Sequence, residues 1–243
     1  MNRSLKILLL LDYDGTLVPI KKHPKLARLS PQRKTFLRKL ANHPGIKMAI
    51  ISGRKLSDIK KLVTVPGLIY VGNHGLEMEI AGRRIIYPAV NRFVPTLKKI
   101  KAALSAAHRI KGVLVEDKGY TLSVHFRLLP ADRLKTFHRL FLQAMRRWRA
   151  KVRITSGKKV IEIRPPVDWD KGKAIKWVIN KLRLGDYWPV YIGDDKTDED
   201  AFRALKEKGM TIHVGGGKTL ANMRVKNIGG VYRYLRSLFK DES

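Results

Sequence analysis

The sequence contains no cysteine, which excludes a disulfide framework, a zinc–thiolate site and a thiol nucleophile. Acidic residues are scarce, 20 against 51 lysines and arginines. No apolar stretch approaches the ~20 residues needed to span a bilayer, so no membrane association is expected. The N-terminus, with Arg3 and Lys6 ahead of leucines, begins like an export signal. Asp12 and Asp14 interrupt that apolar run before any small-residue cleavage site, and a cytoplasmic location is the expectation. Disorder is excluded too, because 44% of the 243 residues are hydrophobic, an ordinary share for a packed chain. That length suffices for one large or two modest domains.

The shortage of acid leaves a net charge of +31. Such a charge attracts nucleic acid, anionic lipid or phosphorylated small molecules. It is spread along nearly the whole chain, which favours solvated helix faces over a dedicated polyanion site. It is densest over residues 89–167, with about 19 basic and about 4 acidic side chains.

The chain is organised around Lys6-Ile7-Leu8-Leu9-Leu10-Leu11-Asp12-Tyr13-Asp14-Gly15-Thr16. A continuous apolar run closed by a turn signal reads as a strand buried on both faces, as in a parallel sheet. Ligands bind beyond the carboxyl ends of such strands. Two carboxylates there repel each other unless a cation or a shared proton relieves them, and hard oxygen donors suit Mg²⁺. On this segment alone, a strand-end turn and a metal site stand equally open.

Ser30-Pro31 starts a helical pattern through Phe36, Leu37 and Leu40, with Ser30 as N-cap. Strands follow at Ile46–Ile51, ending in Ser52-Gly53-Arg54, and at Leu68–Val71, ending in Gly72-Asn73-His74-Gly75. Leu76–Ile80 and Arg84–Tyr87 flank Ala81-Gly82-Arg83 as a hairpin. The grammar then changes. A long helix over Phe93–His108 leads to strands at Gly112–Glu116 and Tyr120–Arg127, turning at Asp117-Lys118-Gly119. Pro130 opens a second helix through Met145. Strands at Val152–Thr155 and Lys159–Arg164 turn at Ser156-Gly157-Lys158. This αββαββ unit interrupts a parallel sheet, and Pro165-Pro166 ends it. Lys171 then opens a helix. Pro189–Ile192 forms a strand running into Gly193-Asp194-Asp195-Lys196-Thr197-Asp198, with a helix over Ala201–Leu205. Met210–Val214 is a further strand, and Val231–Phe239 is a closing helix. The predicted architecture is α/β: a doubly wound, mostly parallel Rossmann-like core (1–88 and 168–243) with an inserted α+β domain over 89–167.

Four positions thus offer side chains to one rim: Asp12 and Asp14, Ser52, Lys171, and the group Asp194, Asp195 and Asp198. Phosphoryl transfer needs such parts. A carboxylate can attack phosphorus. A metal ion and a lysine neutralise phosphoryl oxygens. A hydroxyl with backbone N–H groups cradles them, and a second acid moves the proton. Each part alone has an ordinary alternative: a turn at Ser52, a solvated Lys171, a tight turn at Asn73-His74, an acidic helix start at 194–200. Their order and strand-end placement are left unexplained by those alternatives.

Asp12-Tyr13-Asp14-Gly15-Thr16, Ser52, Lys171 and Gly193-Asp194-Asp195-x-x-Asp198 resemble, in order, the four motifs of the haloacid dehalogenase superfamily of phosphatases, and the αββαββ insert resembles its type-2 cap. The resemblance covers essentially the whole chain. It implies a Mg²⁺-dependent phosphatase with Asp12 as nucleophile and Asp14 as general acid/base. Mg²⁺ would be held by Asp12, the Asp14 backbone carbonyl and Asp194, with Asp195 and Asp198 as secondary or orienting ligands. Ser52 and Lys171 would bind the phosphoryl group.

Gly72-Asn73-His74-Gly75-Leu76-Glu77, Glu116-Asp117-Lys118-Gly119 with His125-Phe126-Arg127, Glu162-Ile163-Arg164-Pro165 and Asp168-Trp169-Asp170-Lys171-Gly172 narrow the resemblance to trehalose-6-phosphate phosphatases. It implies that Glu116, Lys118 and Glu162 grip hydroxyls of the sugar distal to the phosphate, that Arg127 lies near the phosphate, and that Asn73 and His74 belong to the substrate site. Asp117 and Asp170 stand where asparagine is usual, which bears on fine selectivity. The implied partners are a small-molecule sugar phosphate and, metabolically, a trehalose-6-phosphate synthase. A monomer is expected, hinging near residues 88–91 and 165–168. Related phosphatases of sucrose phosphate or mannosyl-3-phosphoglycerate are the near alternative. A basic polyanion-binding protein is the distant one, with Arg146–Lys151 as its binding face, although nucleic acid is not the expected ligand of a chain carrying the full phosphatase set.

Overall fold

The computed structural model describes residues 5–238; Arg3 and Phe239 lie outside them. The chain forms two compact units, one up to Ile85 and again from Trp169, the other over Ile86–Asp168.

In the first unit, β1 (Ile7–Asp12) is followed by α1 (Pro31–Ala41), β2 (Ile46–Ile51), α2 (Leu56–Val63), β3 (Ile69–Gly72), β4 (Glu77–Ile80) and β5 (Arg83–Ile86). Leu8 to Leu11 are all fully buried. Leu9 and Leu11 pack with Leu37 and Leu40 of α1 and Ile59 and Val63 of α2, whereas Leu8 and Leu10 face the opposite layer. This alternation explains the unbroken leucine run, because both faces of β1 are core. Ser30 caps α1, accepting from Arg33 N at 3.3 Å, with Pro31 at the first helical position. α2 and a short strand near the C-terminus were not assigned from sequence. α2 has no side-chain N-cap of its own; the buried carboxylate of Glu77 accepts from Leu56 N at 2.8 Å in that role.

The second unit contains α3 (Val94–Ala103), α4 (Ser105–His108), β6 (Leu114–Asp117), β7 (Leu122–His125), α5 (Leu134–Met145), β8 (Arg153–Gly157) and β9 (Val160–Arg164). Its antiparallel sheet has the order β6-β7-β9-β8. The single helix expected over Phe93–His108 is instead a 3₁₀ segment, α3 and α4. It breaks at Leu104 (ψ 1°), which is fully buried and is followed by Ser105, a poor residue for a helix interior. The last turn also differs. Gly157 pairs with Val160, so β8 runs through Ser156 and Gly157 and the turn is Lys158-Lys159, with Lys159 at φ 63°.

The first unit resumes with α6 (Lys171–Lys181), β10 (Trp188–Gly193), α7 (Glu199–Leu205), β11 (Met210–Val214), β12 (Met223–Val225) and α8 (Ile228–Ser237). β12 is the other unassigned strand, three residues centred on exposed Arg224. The large sheet has the order β12-β11-β10-β1-β2-β3-β4-β5. It is parallel from β12 to β3 and antiparallel at β3–β4. Helices α6 and α7 cover one face and α1, α2 and α8 the other. β1 therefore sits where successive connections depart in opposite directions, the switch point at which such sheets bind ligands. No helix among the described residues is long and apolar enough to cross a membrane.

Candidate active site

Asp12 closes β1 with only 5% of its surface exposed. Lys171 opens α6, whose cap Asp170 accepts from Lys173 N at 2.8 Å, a bond that asparagine would make equally well. The Lys171 ammonium donates to Asp12 Oδ1 at 2.8 Å and to Asp198 Oδ1 at 2.6 Å, and all three groups are buried. Burial alone would lower the Lys171 pKa, but the two carboxylates outweigh it and hold the amine protonated. Asp198 accepts on both oxygens: from Lys171 and the Tyr191 hydroxyl on Oδ1, and from the backbone N–H groups of Asp194 (3.0 Å) and Asp195 (2.9 Å) on Oδ2. Burial opposes its charge, yet Lys171 and these donors prevail and its pKa falls below the usual carboxylate value. Asp12 shares Lys171 but has no comparable set of donors. Burial, followed by the repulsion of Asp198 and Asp194 against the pull of Lys171, raises its pKa well above 3.8.

Asp194 enters this cluster from the end of β10. Gly15, at φ +87°, lies so close that a Cβ there would stand 2.1 Å from Asp194 Oδ2. Glycine is required on both counts, conformation and contact. Carboxylate oxygens of Asp12, Asp194 and Asp198 lie within 4.8 Å of one another. Three buried carboxylates against one ammonium leave an excess of negative charge, and their hard oxygen donors fit a divalent cation. Asp198 has its oxygens committed to four donors, so Asp12 and Asp194 are the side chains better placed to hold the ion. Asp195 caps the turn after β10, its Oδ1 accepting from Lys196 N at 2.7 Å.

Asp14 stands apart from that cluster's hydrogen bonds. Arg54 grips it with two bonds of 2.6 Å, from Nε and Nη2, and also donates to Pro24 O. Ser52 Oγ accepts from Arg54 N at 3.1 Å, which orders the turn carrying the guanidinium. His74, at φ 58°, packs its ring against Gly53, where an added Cβ would lie 2.5 Å from Cε1. Asn73 donates its amide to Glu77, the residue that caps α2 and receives Arg84. This bond gives Asn73 a framework role. Arg54, Tyr191 and Glu77 were not singled out from sequence as functional. Arg54 follows Ser52 by two positions and Tyr191 is a hydroxyl inside an apolar strand, signals that acquire meaning only once their partners are known.

The second unit gathers Glu116, Lys118 and Glu162 with two residues not predicted for the site, Ser123 and His125. Glu116 pairs with Ser123 across β6–β7, Ser123 with Glu162 across β7–β9, and Glu162 with Thr155 across β9–β8. One row thus crosses all four strands on the face opposite the apolar Val124, Ile161 and Ile163. Ser123 Oγ donates to Glu162 Oε1 at 2.7 Å, and buried Lys118 reaches the same oxygen at 3.3 Å. Lys118 is therefore paired with Glu162 in a buried position. His125 Nε2 lies 2.8 Å from Glu116 Oε2. Burial would raise the Glu116 pKa, but the His125 hydrogen bond and Lys118 lower it, so the carboxylate is ready to accept hydroxyls. Arg127 is spatially distinct in its bonding, donating to Lys158 O at 2.6 Å.

Comparison with known proteins identifies the family. The trehalose-phosphatase family model matches residues 10–225. A probable trehalose-phosphate phosphatase D of Arabidopsis thaliana is 34% identical over 221 residues, covering 86% of this chain and 59% of its own. A trehalose-phosphate phosphatase of Mycobacterium marinum is 38% identical over 208 residues, covering 84% and 52%. The chain thus spans little more than half the length of either relative. The crystal structure of a trehalose-6-phosphate phosphatase related protein superposes with a TM-score of 0.82 at 27% identity, over 95% of this chain and 96% of the other. With its motifs, fold and relatives in agreement, the chain belongs to the trehalose-phosphatase family.

Proposed function

We propose that the protein is a Mg²⁺-dependent phosphatase that hydrolyses trehalose 6-phosphate to trehalose and phosphate. The observation that carries this reading is the buried Asp12–Lys171–Asp198 cluster beside Asp194, at the switch point of the sheet. Asp12 attacks phosphorus; the bond from phosphorus to the sugar oxygen breaks, and that oxygen takes a proton from Asp14. Water then attacks the aspartyl phosphate, Asp14 receives its proton, and the Asp12 carboxylate is regenerated. Lys171 and Ser52 bind the phosphoryl oxygens, and Asp198 keeps Lys171 aimed. Asp12, the Asp14 carbonyl and Asp194 would hold Mg²⁺, which would supply charge neutralisation at the phosphoryl group. Asp14, held by two hydrogen bonds to Arg54, must turn from the guanidinium to reach the leaving sugar oxygen.

The core unit performs the chemistry and the unit over residues 86–168 selects the substrate. Its Glu116–Ser123–Glu162 row suits vicinal sugar hydroxyls, with carboxylates accepting and Lys118 donating. A soluble cytoplasmic monomer working on the product of a trehalose-6-phosphate synthase completes the reading. The test is phosphate release from trehalose 6-phosphate, sucrose phosphate, mannosyl-3-phosphoglycerate and glucose 6-phosphate, with and without Mg²⁺. Preferred, Mg²⁺-dependent turnover of trehalose 6-phosphate is expected; equal turnover of glucose 6-phosphate refutes the disaccharide assignment.

A further inference from the structure

The second unit carries, on its helical side, a groove unrelated to the polar face of its sheet. It encloses about 980 Å³, within the range of ligand-binding clefts. Its floor is Phe141, Met145, Val152 and Ile154. Leu142, which also lines it, is 56% exposed, high for a large apolar side chain. β8, which supplies Ile154, is the outermost strand of its sheet, so the groove lies at an open flank.

Arg139, Arg146 and Arg149 rim this apolar floor. All three are exposed, and no carboxylate among the described residues forms an ion pair with any of them. The surrounding sequence offers none: between Asp132 and Glu162 there are ten basic residues and no acidic one. Uncompensated guanidiniums around an apolar trough specify an occupant with carboxylates outside and apolar side chains inside.

We propose that this groove is a docking site for an acidic segment of a partner protein, with apolar side chains on the floor and carboxylates on the three arginines. A nucleic acid is disfavoured by the floor, because single strands are held by exposed aromatic platforms. Here Phe141 is buried, and the Trp148 ring nearby is covered by Lys151, 5.9 Å from its centroid.

The test is fluorescence anisotropy of the full chain with a labelled synthetic peptide of glutamate and leucine. The comparison ligands are the same peptide with serine for leucine, a single-stranded oligonucleotide of equal charge, and phosphatidylglycerol vesicles. At physiological salt the glutamate–leucine peptide should bind about tenfold or more tightly than the others, since charge alone is screened there. Leu142→Glu and Arg146→Glu should each remove that margin while phosphate release continues at the parent rate, and Arg149→Gln, outside α5, replaces either if it fails to fold. Equal or tighter binding by the oligonucleotide, the vesicles or the serine peptide overturns the proposal, as does a margin that survives the substitutions.

Discussion

Asp12, Tyr13 and Asp14 are consecutive, yet each meets a different environment. Asp12→Asn removes the proposed nucleophile and one member of a crowded acidic group. Turnover should fall by at least about 10³-fold while circular dichroism and thermal midpoint stay at or above the parent values; retained activity refutes the nucleophile assignment. Tyr13 is buried and donates to Ala27 O at 2.9 Å. Burial, then the Asp14 carboxylate, pushes its phenol from 10.0 up to about 12. The native state therefore holds that proton more tightly than the unfolded chain, and the stability it contributes is complete below pH 10 and lost as pH rises towards 12. Tyr13→Phe should cost about 1 kcal/mol at neutral pH through the lost hydrogen bond. In urea titrations that difference should shrink between pH 10 and 12; a constant difference contradicts the assignment. At this scale the sequence was most informative, because Asp12, Asp14, Ser52, Lys171 and Asp194 carry recognisable chemistry. It could not reveal that Arg54 holds Asp14 or that Tyr191 supports Asp198, since those pairs are made by folding.

Elements were legible where local signals were strong. Ser30-Pro31 starts α1 through a cap bond that one serine provides. Ser30→Ala should lower stability by about 1 kcal/mol in urea denaturation, with turnover unchanged; no loss would show that the cap bond contributes nothing. β2 and β11 were read to the residue, because apolar runs between turn residues leave little freedom. α2 escaped assignment because its N-terminus is capped by Glu77, which lies 21 residues beyond Leu56. β12 escaped because three residues carry no periodicity. The 94–108 helix splits at buried Leu104, where Ser105 is too weak a local signal to announce the break.

In the whole molecule, the proposed function assigns catalysis and selection to separate units. Glu162→Ala removes the carboxylate shared by Ser123 and Lys118. It should reduce turnover of trehalose 6-phosphate at least about tenfold, a loss of 1.4 kcal/mol or more, and leave a small aryl phosphate nearly unaffected. Equal losses on both substrates would remove Glu162 from the selectivity site. The sequence by itself determined the order of strands and helices apart from α2 and β12, the interruption by an αββαββ segment, and the identity of the acidic and basic groups, because periodicity and turn chemistry are local. Only the tertiary structure decided which of those groups touch. Lys171 reaches Asp12 across 159 positions and Asp198 across 27, and Asp194 rests against Gly15. Burial then turned these ordinary side chains into a cluster in which Lys171 stays charged, Asp198 stays ionised and Asp12 is pushed towards its protonated form, electrostatics that exist only once water is excluded.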